Sequence, residues 1–479
     1  MSTPPPQRVL IAGAGLGGLL LAILLERAGI EYHVYEKHDE FRALGSVTSL
    51  SANIMPVFDQ LGLLKELQQI SLVMSEINVY NHKMTRVGHI NVHIQKEKSG
   101  YDVLMMWRKD LHQLLVNHVP KEKISLSQKI VSIEQTKSDV TIVCAGGQRH
   151  RGALLVGADG AYSAVRKSMY DTLAKANKLD PDDLIPMKAT HIAILGATES
   201  VEHSQYPWAH EEKSSMECYL GESSKHTWRL FNIKGAKICW SISFQIDPTA
   251  FDDKEMDQLA EWDRQSFNPD SEKWRDFATK IGCTMADLIN LTPTDSIAKV
   301  MFEEKLFETW HHGRVVLLGD ACHKMLPSAG RGALNAMLDS VVVANAIYEM
   351  TSFSNLDQIQ KGFRGYYLER YPHAASEISS SKQMARVTSG DTWLDKLTRR
   401  YVLNLMPKWI HRKNAEDAVR FRPQASFLPQ VGSKGSEPAL PQKISKKYKG
   451  LRMVTKSSDD SQNEKIVKLA PVVPEVAVV

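Results

Sequence analysis

The groups best suited to cofactor chemistry lie in one stretch, residues 319–339. It reads Gly-Asp-Ala-Cys-His-Lys-Met-Leu-Pro-Ser-Ala-Gly-Arg-Gly-Ala-Leu-Asn-Ala-Met-Leu-Asp. The apolar run 315–318 leads into it and predicts a buried strand. Asp320 then stands at a strand end, where a carboxylate is a fixed acceptor for hydroxyls such as those of a ribityl chain. Pro327 and the pair Gly330/Gly332 open an apolar-periodic helix through Met337, Val341 and Val343. The free N–H groups of such a helix start favour negative charge, as collects on a flavin ring during reduction. An ordinary strand–turn–helix uses the same residue types, so this stretch alone leaves both readings open.

A second constellation is Gly13-Ala14-Gly15-Leu16-Gly17-Gly18, with Gly13, Gly15 and Gly18 spaced G-x-G-x-x-G. Residues 8–12 predict a strand before it, and 19–28 a helix after it, stopped by Gly29. Gly13 makes the tight turn, Gly15 lets the backbone approach a pyrophosphate, and Gly18 lets helix and strand pack closely. Residues 32–35 predict the next strand. Glu36 at its end can accept both hydroxyls of an adenosine ribose. This context points to a dinucleotide and does not separate FAD from NAD.

The third constellation is Gly157-Ala158-Asp159-Gly160 at the end of an apolar strand, with Ser163 and Arg166 on the following turn. Small residues there let the chain pass close to a cofactor while Asp159 holds the loop. A plain Asp-Gly turn is the alternative. Arg108 sits where a strand over 103–107 gives way to a helix over 111–119. It either binds a phosphate or flavin edge or is a surface residue of a first helical turn. Residues 40–52 form a loop rich in small residues, including Gly45, Ser46, Thr48, Ser49 and Ser51. No metal-ligand spacing occurs, and no metal is expected.

Strands alternating with helices must hold these turns, so the fold class is α/β. At 479 residues the chain exceeds one core. A Rossmann-type first lobe, a second antiparallel sheet and a helical C-terminal extension are expected. The boundaries are 1–7 for a leader, 8–75, 103–185 and 296–385 for the first lobe, and 76–102 for strands joining the second. The second lobe is 186–295, an amphipathic helical extension is 386–432, and a basic disordered tail is 433–479. Two helices are expected after the flavin turn, over 363–371 and 374–388, and a polar helix over 252–278. Tyr219, Trp228, Phe231, Trp240 and Phe244 are pocket-wall candidates or sheet packing. In the extension, Trp393, Leu394, Leu397, Tyr401 and Trp409 recur among Lys and Arg. Such a face either lies on a membrane surface or packs on the protein's own body.

A net charge of +4 gives no case for nucleic acid. The five cysteines are scattered and odd in number, which fits free thiols in a reducing compartment. The uncharged run 9–25 contains the glycine turn and is short for a membrane span. A cytoplasmic protein is expected, with peripheral membrane contact through the extension as an option.

Taken together and in order, the three constellations resemble those of the single-component FAD-dependent aromatic hydroxylases and epoxidases, over about residues 8–385. His323-Lys324-Met325 and Arg422-Pro423-Gln424-x-Ser426-Phe427-Leu428-Pro429 resemble the fungal branch with terpenoid epoxidases. The resemblance implies that Glu36 binds ribose, Arg108 contacts FAD, Asp320 binds the ribityl chain and Ala333 lies at the flavin pyrimidine edge, with Gly332 also among the cofactor-binding residues. Ser49 falls where relatives touch FAD through a small residue. Relatives carry Asn two residues after the second glycine, where this chain has Leu334 and then Asn335. No catalytic side chain is assigned. The implied activity is an NADPH- or NADH-dependent monooxygenase that transfers one oxygen atom from O2 to an apolar aromatic or terpenoid-like molecule. The alternatives are a halogenase or double-bond reductase on the same fold, or a flavin-binding scaffold.

Overall fold

Val9, Leu10, Ile11 and Ala12 are fully buried, the pattern of a strand covered on both faces. The computed structural model describes residues 7–41, 47–221, 226–246, 274–326, 330–389, 394, 397, 401 and 407–448. Pro327, Trp393, Gly45 and Ser46, and nearly all of the helix expected over 252–278, lie outside the described residues. The described end of that segment, 274–278, is a turn and an isolated bridge, Ala278 to Thr284, not helix.

The first sheet runs β17 (His311–His312), β18 (Val315–Leu317), β11 (Leu154–Gly157), β1 (Val9–Ala12), β2 (Tyr32–Tyr35), β7 (Ile124–Ser125). Every pair is parallel except β17–β18. The chain leaves β1 toward β2 on one side and reaches β11 and β18 on the other. The boundary between β1 and β11 is therefore a topological switch point, where open α/β sheets bind ligands. Helix α1 (Leu16–Arg27) and helix α8 (Gly332–Glu349) pack on this edge through small residues. Ser340 Oγ donates to the Gly17 carbonyl at 2.7 Å, and a Cβ on Gly17 would lie 3.1 Å from the Ala336 carbonyl oxygen.

The sheet of the second lobe runs β19 (His323–Lys324), β16 (Ala298–Leu306), β12 (Lys188–Ala197), β15 (Lys237–Gln245), β14 (His226–Ile233), β13 (Lys213–Leu220), β4 (Leu72–Tyr80), β6 (Leu104–Trp107), β3 (Val47–Leu50), with β5 (Arg86–Asn91) on β4. It is antiparallel except for the parallel pair β4–β13. Strands from the first hundred residues thus extend a sheet built mainly from 188–306. Period-2 alternation splits its aromatics between two faces. Tyr219, Trp228 and Trp240 pack beneath helix α7 (Met285–Asn290), while Phe231 lies on the opposite face with Met105 and Cys239. A small antiparallel sheet of β8 (Ile130–Gln135), β9 (Val140–Cys144) and β10 (Arg149–Gly152) completes the strands.

The remaining described helices are α2 (Met55–Leu61), α3 (Leu64–Gln69), α4 (Ile94–Ser99), α5 (Arg108–Asn117), α6 (Ala164–Lys175), α9 (Leu356–Ser389) and α10 (Lys408–Arg420). Gly62, at φ +76°, separates α2 from α3. The two helices expected over 363–388 are one, α9, with Pro372 inside it. Ile359, Phe363, Tyr366 and Arg370 before the proline, and Ala374, Ile378 and Ser381 after it, are all buried. That shared burial keeps both halves on one axis despite the lost N–H.

The last described residues are not a detached tail. From Phe421 to residue 448 the chain runs as a strap over the first lobe, where disorder was expected beyond 432. Asn53, 6 % exposed, donates from Nδ2 to the carbonyls of Ala418 and Phe421, each at 2.8 Å. Gln60 and Asn345 each exchange amide hydrogen bonds in both directions with the backbone of 424–426. Buried Arg422 donates to the carbonyls of Ser99 and Glu437. Lys434 pairs with Asp59 at the surface. We expect Asn53→Ala to cost about 1–2 kcal/mol, because it removes two hydrogen bonds to partly buried carbonyls. Lys434→Ala should cost no more than about 1 kcal/mol. Urea unfolding of the two variants checks the contrast, and equal midpoints would show that the strap is held by packing alone.

Candidate functional site

Three turns leave the C-terminal edge of the first sheet side by side. Backbone hydrogen bonds lock them together: Gly13 N–H to the Tyr35 carbonyl, Ala158 N–H to Ala12, and Leu318 N–H to Gly157. In the first turn, Gly13 has φ +98°, and a Cβ there would come within 2.5 Å of the Ala158 carbonyl oxygen. A Cβ on Gly18 would overlap the Gly13 carbonyl. Gly15 differs, with nothing within 4 Å of its would-be Cβ, and it lines the cleft described below. Two glycines therefore close the turn, and the third leaves room for a ligand.

Glu36 ends β2 with both carboxylate oxygens engaged. Oε2 accepts from Ala14 N–H at 2.8 Å, and Oε1 accepts from the His38 N–H at 3.1 Å. Burial resists its ionisation, but these donors hold its pKa below the ordinary carboxylate value. His112, absent from the sequence reading, donates from Nε2 to the Ala14 carbonyl at 2.8 Å and so fixes the same loop from α5.

In the second turn, Ser163 caps α6 by accepting from Arg166 N–H, where the sequence suggested only a turn. Asp159 serves its own loop. Ser163 Oγ donates to it at 2.5 Å and Val165 N–H at 3.2 Å, while burial pushes its pKa up. Arg166 is a strut between turns. It donates to the carbonyls of Ala321, at 2.9 Å, and Ala161, at 2.6 Å, and its guanidinium lies over the Phe307 ring.

The third turn carries Asp320 and is pinned from below by Asp339, which is fully buried. Gly319, at φ +63°, donates its N–H to Asp339 Oδ2 at 2.8 Å. The same oxygen meets His323 Nε2 at 2.5 Å, and Oδ1 accepts from Arg370 Nε at 2.7 Å. Cys322, His323 and Asp339 cluster tightly enough to suggest metal ligation. With Arg370 paired to the same carboxylate, the set is already charge-balanced and does not favour a cation. Asn335 turns to this network: its Oδ1 accepts from Arg370 at 2.8 Å and its Nδ2 donates to the Arg331 carbonyl. It does not stand in for the Asn that the resemblance places at Leu334.

Between the turns lies a cleft of about 290 Å³, bounded by Gly15, Val47, Thr48, Arg108, Gly160, Asp320, Lys324, Gly330, Gly332 and Ala333 among others. Of the ten sequence-derived cofactor residues, Gly15, Arg108, Asp320, Gly332 and Ala333 line it. Gly13, Gly18, Glu36 and Asp159 shape its turns, and Ser49 lies behind Gly330, its Oγ 3.4 Å from a would-be Cβ there. Arg108 has no hydrogen-bond partner among the described residues. Burial lowers its pKa and Asp320 opposes that shift. Asp320 is 32 % exposed and accepts from Lys324 Nζ at 2.6 Å. Burial raises its pKa, but Lys324, His323 and Arg108 outweigh this and hold the carboxyl below the ordinary value. An open glycine, a guanidinium with no hydrogen-bond partner among the described residues and an ionised acceptor at one sheet edge suit a phosphate-bearing ligand with hydroxyls.

Asp339 makes a testable contribution to stability. Burial opposes its ionisation, yet His323 and Arg370 keep its pKa below 3.8 in the folded protein. Its stabilisation is thus complete above that ordinary value and is lost as pH falls through the lower folded one. Asp339→Asn should cost about 3–5 kcal/mol near neutrality, since it leaves Arg370 buried without its partner. The deficit should shrink in strong acid. Denaturant unfolding from about pH 7 down to about pH 3 measures it; a deficit independent of pH would contradict this account.

Residues 7–357 match the family model described as FAD binding domain. The FAD-dependent monooxygenase penM of Penicillium crustosum is 27% identical over 399 residues, 82% of this chain and 81% of that protein. The FAD-dependent monooxygenase verC1 of Penicillium polonicum is 26% identical over 416 residues, 83% of this chain but 49% of that longer protein. The chain has the fold of Klebsiella pneumoniae HpxO, whose crystal structure holds FAD and uric acid. The TM-score is 0.68 at 17% identity, over 86% of this chain and 96% of HpxO. The family model spans most of the chain, all three turns included, and the chain belongs to the FAD-binding-domain family as an FAD-dependent monooxygenase.

Proposed function

We propose that the protein transfers one oxygen atom from O2 to an apolar aromatic or terpenoid-like small molecule, with FAD held in the cleft and NADPH or NADH as a transient donor. The observation that carries this reading is the convergence of three glycine-bearing turns on a cleft lined by Arg108 and ionised Asp320. When bound, FAD supplies the redox chemistry of the oxygen transfer. The chain's own residues would bind and orient it. Gly15 would leave the backbone open to the pyrophosphate, and Glu36, at the end of β2, would accept from the ribose. Asp320 would accept from the ribityl chain, and Arg108 would offer donors to a phosphate or to the ring edge. The first N–H groups of α8, at Gly332 and Ala333, favour negative charge on the ring. Thr48, Val47 and Met325 would limit water at the same wall.

A peripheral contact with an apolar surface is the second part of the proposal. Leu394, Leu397, Tyr401 and Trp409 stand exposed, which supports it. Helix α10 itself is tied to α4 through Lys98–Glu416 and Arg412–Glu97. No helix among the described residues is long and apolar enough to cross a membrane.

Two measurements test the central reading. Gly15→Val should fold normally, since space surrounds the new side chain, yet bind FAD at least about tenfold more weakly, a difference of ~1.4 kcal/mol. Asp320→Ala should likewise purify with much less flavin, and a fully yellow variant would remove Asp320 from the site. With wild-type protein, NADPH oxidation and oxygen uptake against polyprenylated and phenolic compounds should rise with substrate and give a product one oxygen heavier. A flavin-loaded protein whose oxidation no compound stimulates would favour a reductase or scaffold instead.

A further inference from the structure

Lys324 is the one cleft charge to which the proposed binding scheme gives no task. Its ammonium donates to Asp320 Oδ2 at 2.6 Å, with the two side chains 21 % and 32 % exposed. The backbone of Lys324 is fixed opposite Lys305 by the β16–β19 pairing, so the lysine is built into the wall. Arg108, Asp320 and Lys324 are the only ionisable side chains that line the cleft among the described residues.

Asp320 faces conflicting demands. To accept from ribityl hydroxyls it must be ionised. An ionised carboxylate near an isoalloxazine opposes reduction, because two electrons taken up from a nicotinamide donor with one proton leave the ring with one extra negative charge. Hydroxyl donors bound to Asp320 would not cancel its charge, whereas an ammonium does. A carboxylate offers about four acceptor sites, so the lysine and two hydroxyls can share it.

We infer that Lys324 is a positioning and charge-compensating residue that cancels the field of Asp320 at the flavin, so the carboxylate can hold the ribityl chain without disfavouring reduction of the ring. The inference rests on the FAD reading above and assigns Lys324 a redox-tuning role.

The test reads the midpoint potential of bound FAD and the affinity of the flavin for sulfite, which adds to N5 and likewise places negative charge on the ring. FAD binding by wild-type protein is measured first; failure there overturns the reading underneath, before any variant is compared. In Lys324→Met, at saturating FAD, we expect the two-electron equilibrium to shift about tenfold toward the oxidised form, or about 30 mV. Sulfite should bind about tenfold more weakly. Adding Asp320→Asn to that variant should return both values toward wild type, because the charge that Lys324 no longer offsets is gone. Lys324→Arg should keep both. A lysine that only holds the wall would weaken FAD binding and leave the potential of the bound fraction unchanged, and that result overturns the inference. If Lys324→Met releases FAD, Lys324→Gln supplies the same readout. Loss of FAD from both, with wild-type potential in Lys324→Arg, would make the lysine a binding residue and also overturns it.

Discussion

Asp339 is the constraint on which the flavin turn depends. A carboxylate with no exposure survives only if its charge and its lone pairs are met. Here a backbone N–H, an imidazole and a guanidinium meet them, and each comes from a different element: Gly319 from the turn, His323 from β19 and Arg370 from α9. Satisfying one buried ion thus fixes three elements at once. The turn that carries Asp320 is positioned by this requirement, and its left-handed Gly319 is held in place by the donor it gives to Asp339.

The neighbouring turns follow from steric need. Gly13 and Gly18 sit where a Cβ would strike backbone, and their absence of side chains lets β1, β11 and α1 close together. Arg166 then spans from the second turn to the third by donating to Ala321. The cleft is what remains when these contacts are made: Gly15 has room beside it, and Arg108 has no partner among the described residues. The packing consumes Asp159, Asn335 and Asp339 and leaves Asp320 half-buried on the cleft wall.

Much of this was legible in the sequence where the cause is local. G-x-G-x-x-G marks a turn because the left-handed φ of Gly13 and the approach of Gly18 to the Gly13 carbonyl lie within six residues, although the Ala158 carbonyl that also crowds Gly13 is distant, and the Rossmann-type lobe and the second sheet follow from short-range periodicity. The supports were not legible because their partners are distant in the chain. Nothing near Asp339 signals Arg370, and nothing near Asn53 signals the carbonyls of Ala418 and Phe421. His112 in a helical run gives no sign that it reaches Ala14. Two helices were expected on either side of 372–373, and burial on both sides of Pro372 holds them as one. The strap read as helical extension up to 432, where the structure has no helix over 421–432, and as disorder beyond it from its Gly, Ser, Pro and Lys content. Its attachments are individual amide and guanidinium contacts to backbone, which composition does not report.

The two aspartate turns show why a motif alone does not define a site. Asp159 and Asp320 both follow a buried strand beside a small residue, at the same sheet edge. Burial acts on both in the same direction. Around Asp159 the hydrogen-bond donors are neutral groups of its own loop, and burial pushes the carboxyl up. Around Asp320 stand Lys324, His323 and Arg108, and the carboxyl is pulled down. One is consumed in holding chain; the other stays charged and open to the cleft. The difference lies in the cations beside Asp320: Lys324, four residues along on β19, and Arg108, which α5 brings from far away in the sequence.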